Sequence, residues 1–148
     1  MSSPKIYVLG SANMDLVLAV ERLPREGETL RGGDLALFPG GKGANQACAA
    51  ARLGGRVLMI AQVGDDPFGP RLVHSLEQAG ADVSRVGVMS RPTGCACIYV
   101  LPTGENSIVI SPGANVTLDP ATALERLHDI SAEDLLLLQL EIPMETVE

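Results

Sequence analysis

Apolar positions along the chain fall into short runs separated by glycine, proline and acidic residues, and the runs come in two kinds. Lys5 to Leu9, Val57 to Val63 and Leu135 to Leu140 are nearly continuous in Ile, Val, Leu and Met, the pattern of strands covered on both faces. Asp15 to Val20, Val83 to Val88, Cys95 to Leu101 and Ser107 to Ser111 also read as strands, with Thr103-Gly104-Glu105-Asn106 as a hairpin turn between the last two. Thr29 to Phe38 is a weaker strand that Gly32-Gly33 should bend or bulge.

Helical signals alternate with these runs. Ala44 to Leu53 is rich in Ala, stops at Gly54-Gly55, and carries a stripe of small residues (Ala44, Ala47, Cys48, Ala51) that would let it lie close on a sheet. Asp66-Pro67 and Asp119-Pro120 each pair an N-cap with a proline suited to the first turn, and start helices running to about Ala79 and His128. Strands alternating with helices indicate an α/β fold built on a mostly parallel sheet. Leu135 to Leu140 reads as a central parallel strand of that sheet. Pro143 opens a further helix near the end of the sequence, so the pattern breaks off in mid-unit and reads as the N-terminal part of a longer fold. A strand of that kind without a neighbour would leave an apolar edge prone to association.

Composition narrows the function. The 148 residues, 46% hydrophobic and 20% charged, exclude a disordered chain. A net charge of −7 and 3% aromatic residues leave no basic stripe or stacking platform for nucleic acid. No apolar run reaches the ~18–20 residues of a membrane span, and Ile6 to Leu9 is too short for a signal-peptide core. Cys48, Cys95 and Cys97 are odd in number, have no metal-ligating partners at useful spacing, and fit reduced core residues in the cytoplasm.

Three places could carry chemistry. In Gly40-Gly41-Lys42-Gly43, at the start of a helix, free backbone N–H groups and a charged donor could hold a polar ligand; Lys42 is one of two lysines. The spacing fits neither a Walker A loop nor a dinucleotide fingerprint, and a tight strand-to-helix turn is the other reading. Asn13 and Asp15, two apart in extended chain, project the same way and together offer donors and acceptors suited to the adjacent hydroxyls of a polyol, or else close an Asx turn. Glu141 follows an apolar strand at its carboxyl end, where ligands of open α/β sheets sit, or is simply solvated.

Asn13-x-Asp15, the block Gly40-Gly41-Lys42-Gly43-Ala44-Asn45-Gln46-Ala47, Gly64-Asp65-Asp66, Pro112-Gly113-Ala114-Asn115 and Gln139-Leu140-Glu141 resemble, in this order, the ribokinase-like members of the phosphofructokinase B-type carbohydrate kinases. The resemblance runs from about Ile6 to Val147. It implies one α/β sandwich, the N-terminal part of a ribokinase-like domain, with a small β-sheet lid drawn from about 15–38 and 95–111, pieces that read as antiparallel and hairpin-like. It further implies sugar contacts from Asn13, Asp15, Gly41, Lys42, Gly43, Asn45 and Glu141, with Ile110 as an apolar cover, and a homodimer paired through the lid. The activity implied is transfer of the ATP γ-phosphate to the 5-hydroxyl of D-ribose, with ATP, Mg2+ and a monovalent cation (K+) in the complete enzyme. The family's catalytic base, anion hole and nucleotide site have no counterpart in this sequence, so this chain alone is expected to be inactive. Two alternatives stand beside that reading: a non-catalytic sugar-binding or dimerising module, and a kinase for a related sugar or nucleoside.

Overall fold

Strand β1 (Lys5–Leu9) is flanked by β4 (Arg56–Gly64) and β8 (Leu135–Leu138), and β4 in turn pairs with β5 (Asp82–Met89). All three pairings are parallel, giving a sheet of order β5-β4-β1-β8. These relations come from a computed structural model that describes residues 4–148. Every β4 residue from Val57 onward is buried, which is why that run lacks polar alternation.

The two faces of the sheet bury different sets. On one face Val8, Val57, Met59, Ala61 and Val63 pack with Ala44 and Ala47 of helix α1 (Lys42–Arg52) and with Leu72 and Leu76 of α2 (Phe68–Gln78). On the other, Tyr7, Leu9, Leu58 and Ile60 pack with Leu118, Ala123 of α3 (Pro120–Arg126) and Ile142, next to the short α4 (Met144–Val147). Odd and even positions of one strand thus feed separate cores, as the period of two requires. The small-residue stripe of α1 lies on the sheet as expected, and Asp119 caps α3 by accepting the Thr122 N–H at 2.7 Å.

A second sheet, of order β3-β2-β6-β7, stands above the carboxyl ends of the first. It comprises β2 (Asn13–Ala19), β3 (Ala36–Gly40), β6 (Gly94–Val100) and β7 (Asn106–Ser111). Its pieces are not all antiparallel. β2 pairs with β3 antiparallel and β6 with β7 antiparallel, but β2 and β6 run parallel. Each continues, across three or four residues, a strand of the parallel sheet (β1 into β2, β5 into β6), so the two inherit a common direction.

One other expectation is corrected. Thr29 to Phe38 is not one bent strand: only Ala36–Gly40 pairs along β2, and the earlier part is held at Gly33, whose N–H donates to the Ala19 carbonyl at 2.9 Å. Leu135 to Leu140 presents the apolar edge expected of a parallel strand without its neighbour. It is a four-residue strand at the edge, with Leu135 58% and Leu140 70% exposed. Its leucines resemble an interior strand in composition, but only β1 pairs with it among the described residues.

Candidate functional site

The carboxyl end of β1 is where the two sheets meet. After Leu9 the chain turns through Gly10–Ala12 and enters β2 at Asn13, so Asn13 is 4% exposed and Asp15, two residues on, lies half-buried on the same face. The neighbouring β3 ends at Gly40 beside Asn13 and delivers Gly41, then the first turn of α1. Gly41 has φ +93°, and a Cβ there would stand 2.7 Å from the Asn13 nitrogen. Only glycine brings a helix N-terminus this close to β2.

Glu141, just beyond β8, closes the arrangement from the third side. Its carboxylate accepts the Ser11 hydroxyl at 2.7 Å and the Lys42 backbone N–H at 3.1 Å, and pairs with the Lys42 ammonium. It therefore sits on the positive end of α1. Burial pushes its carboxyl up, but the Lys42 ammonium, the Ser11 hydroxyl and the Lys42 N–H together outweigh burial and hold it below the usual carboxylate range. Asp15 has the opposite balance. Burial, then the charge of Glu141, push its carboxyl above the usual range, and no donor among the described residues bonds to it. One carboxylate is satisfied by the protein; the other is open to the cavity.

Asn13, Asp15, Gly41, Lys42, Asn45 and Glu141 line one cavity of about 150 Å³. Ala96 and Ile98 of β6 with Ile108 and Ile110 of β7 form its apolar wall. That volume corresponds to roughly five water molecules at ~30 Å³ each, the scale of a small polar ligand. Acceptors, amide donors, an ammonium and helix N–H groups against aliphatic side chains suit a polyol, whose hydroxyls need both partners while its carbons need contact. A larger open hollow of about 530 Å³ at the far end of the second sheet, lined by Gly32, Gly33 and Pro102 among others, has Glu21 and Arg31 but no side-chain amide, lysine or helix N-terminus.

Gly43 does not line the cavity. It is buried beneath it, on the side of α1 facing β1, where a Cβ would be 2.7 Å from the Gly10 and Ser11 backbone. Its place is to let the helix seat, while its neighbours face the hollow. Two residues have no role in the site by sequence reasoning, although Asn115 closes the Pro112-Gly113-Ala114-Asn115 motif. Ser11 is fully buried and links Glu141 to the Gly43 N–H (3.4 Å). Asn115, 1% exposed in the 3-10 turn Gly113–Thr117, donates to the Asn13 side-chain oxygen at 2.7 Å. Both belong to stretches with a turn signature, but the side-chain partners that bring them into the site, Glu141 for Ser11 and Asn13 for Asn115, are more than 100 positions away, and no local pattern encodes those pairs. Among the described residues no three His, Cys, Asp or Glu side chains are grouped to hold a metal, and no helix is long and apolar enough to cross a membrane.

A family model described as pfkB family carbohydrate kinase matches residues 3–147. A ribokinase of Bacillus subtilis is 43% identical over 143 residues, covering 97% of this chain and 49% of that protein. The solved ribokinase of Thermotoga maritima is similar at a TM-score of 0.88 and 40% identity, over 97% of this chain and 48% of that one. An Arabidopsis thaliana ribokinase solved with ribose and ATP gives a TM-score of 0.83 at 34% identity, over 98% and 49% respectively. The chain spans about half the length of the relatives it matches.

Proposed function

Because this chain belongs to the pfkB family of carbohydrate kinases, we propose that the cavity between its two sheets binds a pentose, D-ribose, as the sugar-binding part of an enzyme that transfers the ATP γ-phosphate to the sugar's 5-hydroxyl. The observation that carries this reading is the Asp15 carboxylate, half-buried, lining the cavity and without a protein donor. A half-buried carboxylate with no protein donor has its acceptor capacity free toward the cavity, and a sugar hydroxyl would fill it. Asn13 and Asn45 offer amides, Lys42 an ammonium, and Gly41 the approach to the helix N-terminus. Ile98, Ile108 and Ile110 would cover the apolar face of the ring. The relative solved with ribose and ATP supports the choice of sugar and nucleotide.

Phosphoryl transfer needs a positioned base, donors for the developing charge and a nucleotide site. The family resemblance implies these in the half of its length that this chain does not span, so this chain would bind sugar without turning over ATP. The Mg2+ and K+ that the resemblance implies belong to the same half; among the described residues no three His, Cys, Asp or Glu side chains are grouped to hold a metal. A homodimer through the second sheet belongs to the same reading. Phe38, Ile108 and Ile110 share the face that bears Asp15 and are 54%, 50% and 49% exposed, an apolar patch that a second copy would cover. A cytoplasmic site of action fits its three unpaired cysteines.

Calorimetric titration of D-ribose into this chain and its Asp15→Ala variant tests the reading. Binding that weakens at least about tenfold in the variant is expected, from the loss of a charged hydrogen bond. Equal affinities, or no binding by either protein, would overturn it. Titration of fructose and a nucleoside in parallel decides between ribose and the related substrates.

A further inference from the structure

Asn115 holds one side-chain orientation only. Its Oδ1 lies 3.0 Å from the Ala12 N–H, a group that can only donate, and its Nδ2 lies 2.9 Å from the Pro112 carbonyl, a group that can only accept. Exchanging oxygen and nitrogen would break both contacts, so the network fixes the amide. A donor therefore faces Asn13 at 2.7 Å. That donor requires Asn13 to answer with Oδ1, which leaves the Asn13 Nδ2 as the end available to the cavity that Asn13 lines. The pair is packed without slack: Gly94, the first residue of β6, faces both amides, and a Cβ there would fall 2.2 Å from the Asn115 Nδ2 and from the Asn13 Oδ1.

From this we infer that Asn115 is a positioning residue: by fixing the Asn13 amide it makes Asn13 a donor toward the ligand, next to Asp15, which can only accept. The inference rests on the sugar-binding reading of the cavity and adds the rule by which it selects. A group set between Asn13 and Asp15 must accept from one and donate to the other. A hydroxyl does both; an ether or a fluorine cannot donate to Asp15, and an ammonium cannot accept from Asn13. Because Asn115 also spans Ala12, at the exit from β1, and Pro112, at the end of β7, the donor pattern of the site is tied to the placement of the second sheet.

The test is a comparison of sugars across variants of this 148-residue chain. Calorimetry with D-ribose and its monodeoxy analogues should find one analogue bound roughly tenfold or more weakly than D-ribose, the one lacking the hydroxyl that Asn13 contacts. In Asn115→Ala that ratio should shrink toward one, because an unanchored Asn13 no longer discriminates. If all sugars weaken by the same factor and the ratio persists, Asn115 is merely structural and the inference is overturned. Should Asn115→Ala fail to fold, Asn115→Asp keeps the volume and the bond from Ala12. Its carboxylate faces Asn13 as an acceptor, turns that amide round, and should reduce the ratio in the same way. A ligand-free readout separates this inference from the site reading. Hydrogen exchange followed by NMR should find the Asn115 side-chain amide protons protected in the unaltered chain. Rapid exchange would overturn the clamp whether or not ribose binds; protected protons with no sugar binding would overturn the sugar reading and, with it, the selection rule.

Discussion

The two sheets solve different problems with the same backbone. In the parallel sheet, β4 is buried from Val57 to Gly64 and contributes to a separate core on each face. In the second sheet, β7 has Ile108, Val109 and Ile110 at 50%, 65% and 49% exposed, and pairs only with β6. The first is a sandwich whose inner strands β1 and β4 are packed on both faces, with exposed apolar side chains confined to its edge strands β5 and β8. The second holds apolar surface in reserve, over the cavity and along its outer edge. Stability should therefore reside in the first sheet and adaptability in the second, with the candidate site at their joint. That division can be broken experimentally. Ile60→Ala, at a fully buried position of β4, should lower unfolding free energy by about 2–5 kcal/mol in urea titrations. Val109→Ala, on β7, should cost less than about 0.5 kcal/mol. Comparable losses at the two positions would mean that the second sheet is as tightly consolidated as the first.

A smaller effect sharpens the comparison, because it acts on the link between the sheets. Asp66 accepts the N–H groups of Phe68 (3.0 Å) and Gly69 (3.2 Å) at the start of α2, and also the Thr93 N–H and hydroxyl, both at 2.7 Å, immediately before β6. Burial alone would push its carboxyl up, but the four bonds prevail and hold it below the usual range. A depressed carboxylate contributes stability that is present above its unfolded pKa of about 3.9 and is lost as pH falls through the lower folded value. Asp66→Ala should thus cost about 1–2 kcal/mol at pH 7, since it strips three backbone N–H groups and the Thr93 hydroxyl of their acceptor. Thermal melts should find the gap between variant and parent closing as the pH drops below about 4. A gap independent of pH would assign the loss to packing instead of to the charged bonds.

How much of this was legible in the sequence follows from the range over which each feature is determined. The β4 run, the caps of α3 and the small-residue face of α1 are set by neighbours within a few positions, and they stand where the pattern puts them. Asn13 and Asp15 share a face because strand geometry alone requires it, and Gly41 and Lys42 open a helix because Gly and Ala spacing says so. What the pattern could not place depends on pairing. The leucines of β8 record that something apolar covers such a strand, not which strand lies beside it; that β1 is its partner had to come from the structure. The parallel pairing of β2 with β6 joins segments some eighty residues apart and follows from the direction of the sheet beneath them. Ser11 and Asn115 matter only through contacts across the whole chain, to Glu141 and to Asn13. The distinction between Gly43 and its neighbours likewise needed the position of β1.

The smallest expected effect is the most informative about the joint, since it has opposite signs in stability and in binding. Burial, then the Glu141 charge, raise the Asp15 carboxyl in the folded protein. A carboxyl whose folded pKa lies above its unfolded one binds its proton more tightly in the native state, so the stability linked to it is present at low pH and lost as pH rises through the folded value. At pH 7 the ionised Asp15 therefore destabilises the ligand-free fold, by less than about 1 kcal/mol once its partial solvent access is allowed for. Asp15→Asn should raise the melting temperature at pH 7 by a few degrees at most and have little effect at pH 4. The same variant should weaken D-ribose binding, because an amide is a poorer acceptor than a carboxylate. In the parent, ribose affinity should fall as pH drops through the raised Asp15 value, while Glu141 still holds its charge. A variant that melts lower than the parent at pH 7 would make Asp15 a structural residue. A site kept ionised at the fold's expense is what the proposed sugar site requires: the parallel sheet would supply the stability, and the sugar the missing donors.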